Sequence, residues 1–272
     1  LGIPSEPATC DPAEHLVGDK REAFLNMHHT VVPEDTPLPP GVRACHLVSP
    51  DDELQINLAL LQSGLCVLVH EDLVPKDTRG NTIGGGLFCV AHKPLQDRLI
   101  NDRRPLNMCE ARLGWAKLPH GSLLTQLVVG VGECLRGHGD DLSKYFYKLK
   151  HNIHWIPRNN FGHRVDGSVY PQYGGIPGVK YYLAFVSVCM GDLNAVDIAQ
   201  ETHSQILKRA HCLTPGQVLI YGHTVPADTI WDGLYIDDHI AVAVGNRDEA
   251  RAAKAALRWR KRLARRTGTA VP

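Results

Sequence analysis

The run Leu234-Tyr235-Ile236-Asp237-Asp238-His239-Ile240-Ala241-Val242 sets two adjacent carboxylates into a pattern that is apolar on both sides. Side by side the two acids repel, and burying either costs several kcal/mol unless something compensates it. A hard divalent cation is the natural compensation, because Mg²⁺ takes oxygen ligands from one or two carboxylates together with substrate phosphates. Standing alone, the run reads more simply as a β-turn bearing two solvated aspartates.

Outward from this run, short apolar stretches predict strands at 124–131, 181–189, 217–221 and 239–244, and helical spacing fits 194–210 and 247–264. Nearer the start, Ser49-Pro50-Asp51-Asp52 reads as a helix beginning, with a capping serine, proline at the first position and acids in the first turn. That helix is expected to stop at Gly64. Apolar runs at 65–70 and 87–91 flank a polar segment containing Asp77, Arg79, Gly80 and Asn81, which predicts a β-hairpin with a long mobile tip. Gly84-Gly85-Gly86 is no phosphate loop, since no Gly-Lys-Ser/Thr follows it. Residues 1–47 hold Pro33, Pro37, Pro39 and Pro40 without sustained periodicity and are expected to form a loosely structured extension. Strands and helices mix without strict βαβ alternation, so the fold class expected is α+β.

The 272 residues are 43% hydrophobic and 21% charged, which suits a globular chain. No stretch approaches the roughly 20 apolar residues that cross a bilayer, so no membrane partner is expected. The start, Leu1-Gly2-Ile3-Pro4, has neither an initiator methionine nor a signal pattern. It implies an intracellular piece of something longer, cytoplasmic or nuclear and not secreted. The cysteines are scattered without a CxxC pair, and Cys66 and Cys89 sit in apolar runs as small hydrophobes. His28-His29 and His151-x-x-His154 lack Cys or Glu partners at zinc spacing, so no zinc site is expected there. Formal net charge is zero, yet Arg251, Lys254, Arg258, Arg260, Lys261, Arg262, Arg265 and Arg266 crowd one C-terminal segment. Such a face suits phosphates or plain solvent equally well.

Four further segments give the acid pair a context. Arg98-Leu99-Ile100-Asn101-Asp102-Arg103-Arg104-Pro105-Leu106-Asn107 is followed by Leu118-Pro119-His120-Gly121 and then by Asp140-Asp141-Leu142-Ser143-Lys144-Tyr145-Phe146-Tyr147. Met190-Gly191-Asp192-Leu193-Asn194-Ala195-Val196-Asp197-Ile198-Ala199-Gln200 comes next, ahead of Tyr235-Ile236-Asp237-Asp238. In this order they resemble the motifs of reverse transcriptases over about residues 50–262: the fingers motif R-x-x-x-D-x-R-x-L-N, motif A, motif B of retrotransposon enzymes and the YxDD of motif C. Gly191, Asn194, Ala195 and Gln200 match motif B in register, while Val196 and Ala199 stand where that family has proline and phenylalanine.

The resemblance implies a right-hand polymerase palm, an antiparallel sheet backed by helices, with a fingers subdomain and no thumb in this chain. Fingers would comprise 48–119 and 151–182, and palm 120–150 and 183–272. The implied activity is RNA-directed DNA synthesis, adding dNTPs to a primer 3′-hydroxyl on an RNA or DNA template, as part of a retrotransposon polyprotein. Asp141, Asp237 and Asp238 would be the catalytic carboxylates and, with the Leu142 carbonyl, would hold two Mg²⁺ ions, for which Mn²⁺ can substitute. Asp141 is preferred to Asp140 because the family's gating aromatic falls five residues after the catalytic acid, at Phe146. A ring there leaves no room for a 2′-hydroxyl, the group that distinguishes RNA from DNA. Lys93, Arg98, Phe146, Gly191 and Gln200 would contact the nucleotide, while Tyr235, Asp102 and Asn194 support the motifs. Thumb, ribonuclease H and integrase or recombinase domains are expected outside this chain. Two other readings compete: an RNA-dependent RNA polymerase, which would carry GDD and an acid at position 146, and a degenerate polymerase fold that binds nucleic acid as a scaffold.

Overall fold

The computed structural model describes residues 2–32, 42–93 and 96–266. Along the chain run α1 (Pro12–His15), α2 (Gly18–Leu25), α3 (Pro50–Gln62), β1 (Cys66–His70), β2 (Gly86–Lys93), β3 (Gln96–Asp102) and α4 (Arg104–Asn107). Then follow β4 (Glu133–Asp141), α5 (Tyr145–Lys148), β5 (Asn160–Asp166), β6 (Lys180–Phe185), α6 (Ala195–Arg209), β7 (Ile230–Tyr235), β8 (Asp238–Asn246) and α7 (Arg247–Arg266). Helices accompany small antiparallel sheets, so the fold class is α+β. Among the described residues no helix is long and apolar enough to cross a membrane. The chain divides into two compact units, Leu1–Leu113 with Phe146–Ala195 and Gly114–Tyr145 with Val196–Pro272.

In the first unit, α3 begins where its sequence says it should: the Ser49 hydroxyl accepts from the Asp52 N–H at 3.2 Å, and Pro50 opens the helix. Leu60 and Leu61 at its end pack with Leu65, Leu87, Phe161, Leu183 and Phe185 into one core, where the Phe161 and Phe185 rings lie 4.7 Å apart. The expected hairpin between 65–70 and 87–91 does not form. β1 pairs with β6 in a sheet of order β1-β6-β5, and β2 pairs with β3 instead. The segment between β1 and β2 closes on itself, the Asp77 carboxylate accepting from the Arg79 and Asn81 amides, so it never brings the two runs into register. Residues 2–32 also differ from the loose extension expected of them: Leu16, Phe24 and Met27 are buried, and the backbone at Cys10 bridges Leu149. Three well-spaced apolar side chains suffice to dock such a segment. Pro33, Pro37, Pro39 and Pro40 lie outside the described residues.

The second unit is a three-stranded antiparallel sheet of order β4-β8-β7, with α7 packed on β4 and β8. Leu123, Leu219, Trp231, Val242 and Val244 form one core cluster, and Leu207 of α6 joins Cys212, Leu213 and Leu234 in another. Residues 124–131 are not the expected strand: a 3₁₀ turn covers Gly121–Gln126 and pairing begins only at Glu133. Val128 and Val131 there are fully solvent-facing, so β-propensity has no buried face to act on. At 217–221 a single bridge, Val218 to Asp232, replaces the expected strand.

Candidate active site

β7 and β8 form a hairpin in which Tyr235 pairs with Asp238, leaving Ile236 and Asp237 as a two-residue turn. Ile236 has φ +56°, a left-handed conformation that β-branched residues avoid. On the other side of β8, the register with β4 runs from Glu133 opposite Asn246 to Asp141 opposite Asp238. The Leu142 N–H then donates to the Asp237 carbonyl at 3.2 Å. The backbones of Asp141, Asp237 and Asp238 therefore lie together at one end of the sheet, while their carboxylate oxygens do not all come within 4.8 Å of one another. Asp141 and Asp238 are exposed and Asp237 half-buried.

Directly opposite residues of an antiparallel pair share a face, and successive residues alternate faces. Asp141 thus shares a face with Asp238, whereas Asp140 lies opposite His239 and forms an ion pair with His138 at 3.4 Å. His239 is itself buried and bonded to Asp232 at 2.9 Å. Like charges directly opposite cost a sheet some stability, and exposure of both carboxylates to water lessens that cost. The donor set is all carboxylate oxygen, which suits Mg²⁺.

Gln200, expected to face a nucleotide, does something else. It is buried, its Nε2 donates to the Leu234 carbonyl at 2.8 Å and to the Lys117 carbonyl at 3.3 Å, and its Oε1 accepts from the Ile236 N–H at 2.7 Å. Both ends of the amide hold the hairpin. One helical turn on, His203 Nδ1 lies 2.7 Å from the Ile236 carbonyl. Sequence reading missed His203, because a lone histidine in a helix gives no signal. Tyr235 is half exposed and lines an open cavity of about 370 Å³ with Lys117, Pro119, His120, Tyr221 and His223.

The other expected residues belong to the first unit. Asp102 is buried and accepts from the Cys45 amide at 2.6 Å and from the Arg104 fork at 2.7–3.0 Å. Burial pushes its carboxyl up, but these bonds outweigh burial and hold it below the usual carboxylate range. Arg98 is exposed on β3, Lys93 ends β2 with its side chain outside the described residues, and Phe146 is half-buried in α5. Gly191 has φ +101°, and a Cβ there would stand 2.9 Å from the Asn101 carbonyl, so only glycine fits without displacement. The loop around it is tied to the 101–113 segment. Asn107 donates to the Gly191 carbonyl (2.8 Å) and accepts from the Leu193 N–H (3.1 Å). Asn194 donates to the Ala111 carbonyl (3.0 Å) and accepts from the Leu113 N–H (2.9 Å). Arg103, fully buried, reaches the carboxylates of Asp192 and Glu110.

A second group also has ligand chemistry. Among the described residues, the ligand atoms of His46, Glu53 and His163 all lie within 4.8 Å of one another. Hydrogen bonding argues against a metal there. His46 Nδ1 accepts from the Leu87 N–H at 3.0 Å, so its proton sits on Nε2, 3.4 Å from Glu53. A metal-bound histidine has the reverse arrangement, its second nitrogen donating. His163 approaches Glu53 twice, through its N–H at 2.9 Å and Nδ1 at 2.6 Å. Hydrogen bonds from His163 hold Glu53.

A comparison with protein-family models finds no match for the chain, and a comparison with curated proteins finds none.

Proposed function

We propose that the chain is the fingers and palm of an RNA-directed DNA polymerase, with Asp141, Asp237 and Asp238 as its catalytic carboxylates. The observation that carries this reading is the register of β4 on β8, which sets Asp141 opposite Asp238 while the Leu142 amide bonds the Asp237 carbonyl. The sequence motifs supply the reaction: a primer 3′-hydroxyl oxygen bonds to the α-phosphorus of a dNTP, and pyrophosphate leaves. Asp141, Asp237 and Asp238, with the Leu142 carbonyl, would hold two Mg²⁺ ions. When bound, the ions neutralise charge on the attacking and leaving oxygens. The protein's own part is positioning: β4, β8 and the turn between β7 and β8 fix the backbone that carries the acids. The exposed Tyr221 and Tyr235 and the Lys117 ammonium around the cavity they line suit a nucleic-acid strand, whose bases stack on aromatic rings and whose phosphates take cations.

The test is Mg²⁺- or Mn²⁺-dependent dNTP incorporation on poly(rA)/oligo(dT). Asp141→Asn should lower the rate at least about a thousandfold, the loss expected when several kcal/mol of charge stabilisation disappear. Asp140→Asn, which removes a surface ion pair, should stay within about threefold of the parent. Equal losses in both variants would unseat the assignment. A folded parent that binds the duplex and incorporates nothing would be the scaffold instead.

A further inference from the structure

The turn that presents Asp237 is gripped on both sides of one residue. The Ile236 N–H donates to Gln200 Oε1 and its carbonyl accepts from His203 Nδ1, each at 2.7 Å. A carbonyl only accepts, so the His203 proton is on Nδ1. Gln200 and His203 stand three residues apart on α6, hence on one face of it, and both are buried. Tyr145 walls the imidazole: its ring lies 5.6 Å from that of His203, and its hydroxyl donates to the Ala199 carbonyl at 3.0 Å. Between the two bonds sits an isoleucine at φ +56°. A β-branched residue stays in that region only where its surroundings over-determine it.

We propose that His203 is a positioning residue: with Gln200 it clamps the Ile236 backbone in its left-handed conformation and so fixes where Asp237, the next residue, presents its carboxylate. The inference rests on reading Asp237 as a metal ligand, and it adds the device that aims it. Neither clamp residue touches the reacting atoms. Each acts through the peptide it holds, and both come from one helix, so the turn is set by a rigid support rather than by its own preference.

The experiment compares His203→Leu, which removes the donor, with His203→Asn, whose Nδ2 offers a donor near the position of imidazole Nδ1. Both are made in the full chain. Three quantities are read: the Ile236 φ by crystallography or amide–Hα coupling, Mn²⁺ affinity by electron paramagnetic resonance, and kcat and KM for dNTP. In His203→Leu, Ile236 should leave the left-handed region, Mn²⁺ affinity should fall about tenfold or more, and kcat should fall with KM little changed. His203→Asn should keep φ positive and restore Mn²⁺ affinity to within about threefold. Retention of both the left-handed φ and the Mn²⁺ affinity in His203→Leu overturns the proposal, as does a folded His203→Asn that restores neither. Should His203→Leu fail to fold, His203→Gln, whose donor overshoots the carbonyl, replaces it with the same expectations. A parent that neither binds Mn²⁺ nor incorporates dNTP refutes the polymerase reading, while the Ile236 φ still judges the clamp.

Discussion

Glu53 lies in the first turn of α3, buried, with the His163 N–H and Nδ1 and the His46 Nε2 directed at its carboxylate. Burial pushes this carboxyl up, but the hydrogen bonds from the His163 backbone and ring prevail, and its pKa falls below the ordinary 4.5. A group depressed in the folded state stabilises fully above its unfolded pKa, and that contribution is lost as pH drops through the folded value. Glu53→Gln should therefore destabilise by about 2 kcal/mol at pH 7, the size of hydrogen bonds to a charged group. The gap in melting temperature between parent and variant should narrow steadily below pH 4.5. A gap that stays constant from pH 7 to pH 3 would show that the carboxylate charge plays no part. None of this was readable beforehand, since His163 is remote in sequence from His46 and Glu53 and nothing local marks the three as partners.

α4 and the loop before α6 are joined by charges placed where apolar packing would normally serve. Arg103 is fully buried between Asp192 and Glu110, and its second amino group also donates to the Arg158 carbonyl at 3.1 Å. Burial works against the guanidinium charge, but Asp192 and Glu110 more than offset it and raise its pKa. Removing one member of a buried network leaves the others charged without a partner, which costs about 3–5 kcal/mol. Arg103→Met should show a loss of that size in urea unfolding, and adding Asp192→Leu should recover part of it. Additive losses would mean the two side chains do not act as a pair. The sequence motifs brought both segments forward separately. Their junction through Arg103, Asn107 and Asn194 belongs to tertiary structure.

With a formal net charge of zero, the nucleic-acid binding proposed above would rest on local cations rather than on overall charge. If as few as two phosphates are neutralised, affinity for a primer–template duplex should weaken about tenfold between 50 and 200 mM KCl. An affinity indifferent to salt would exclude phosphate contacts. By itself the sequence determined the α+β class and marked a helix from Ser49-Pro50 to Gly64 and others at 194–210 and 247–264, which the fold sets at 50–62, 195–209 and 247–266. It also singled out Asp141, Asp237 and Asp238, because helix caps, apolar periodicity and misplaced charges are local signals. It led to Asp141 over Asp140 through spacing to Phe146, and the pairing of β4 with β8 puts Asp141 on the face of Asp238. Strand partners were beyond its reach: β1 finds β6 far along the chain, and β4, with two glycines and three acids, looks unlike a strand until β8 pairs with it. So were the roles of Gln200 and His203, for a side chain that grips a backbone atom far along the chain has no neighbour in sequence to announce it. Pairing and burial are non-local, and only the folded chain decides them.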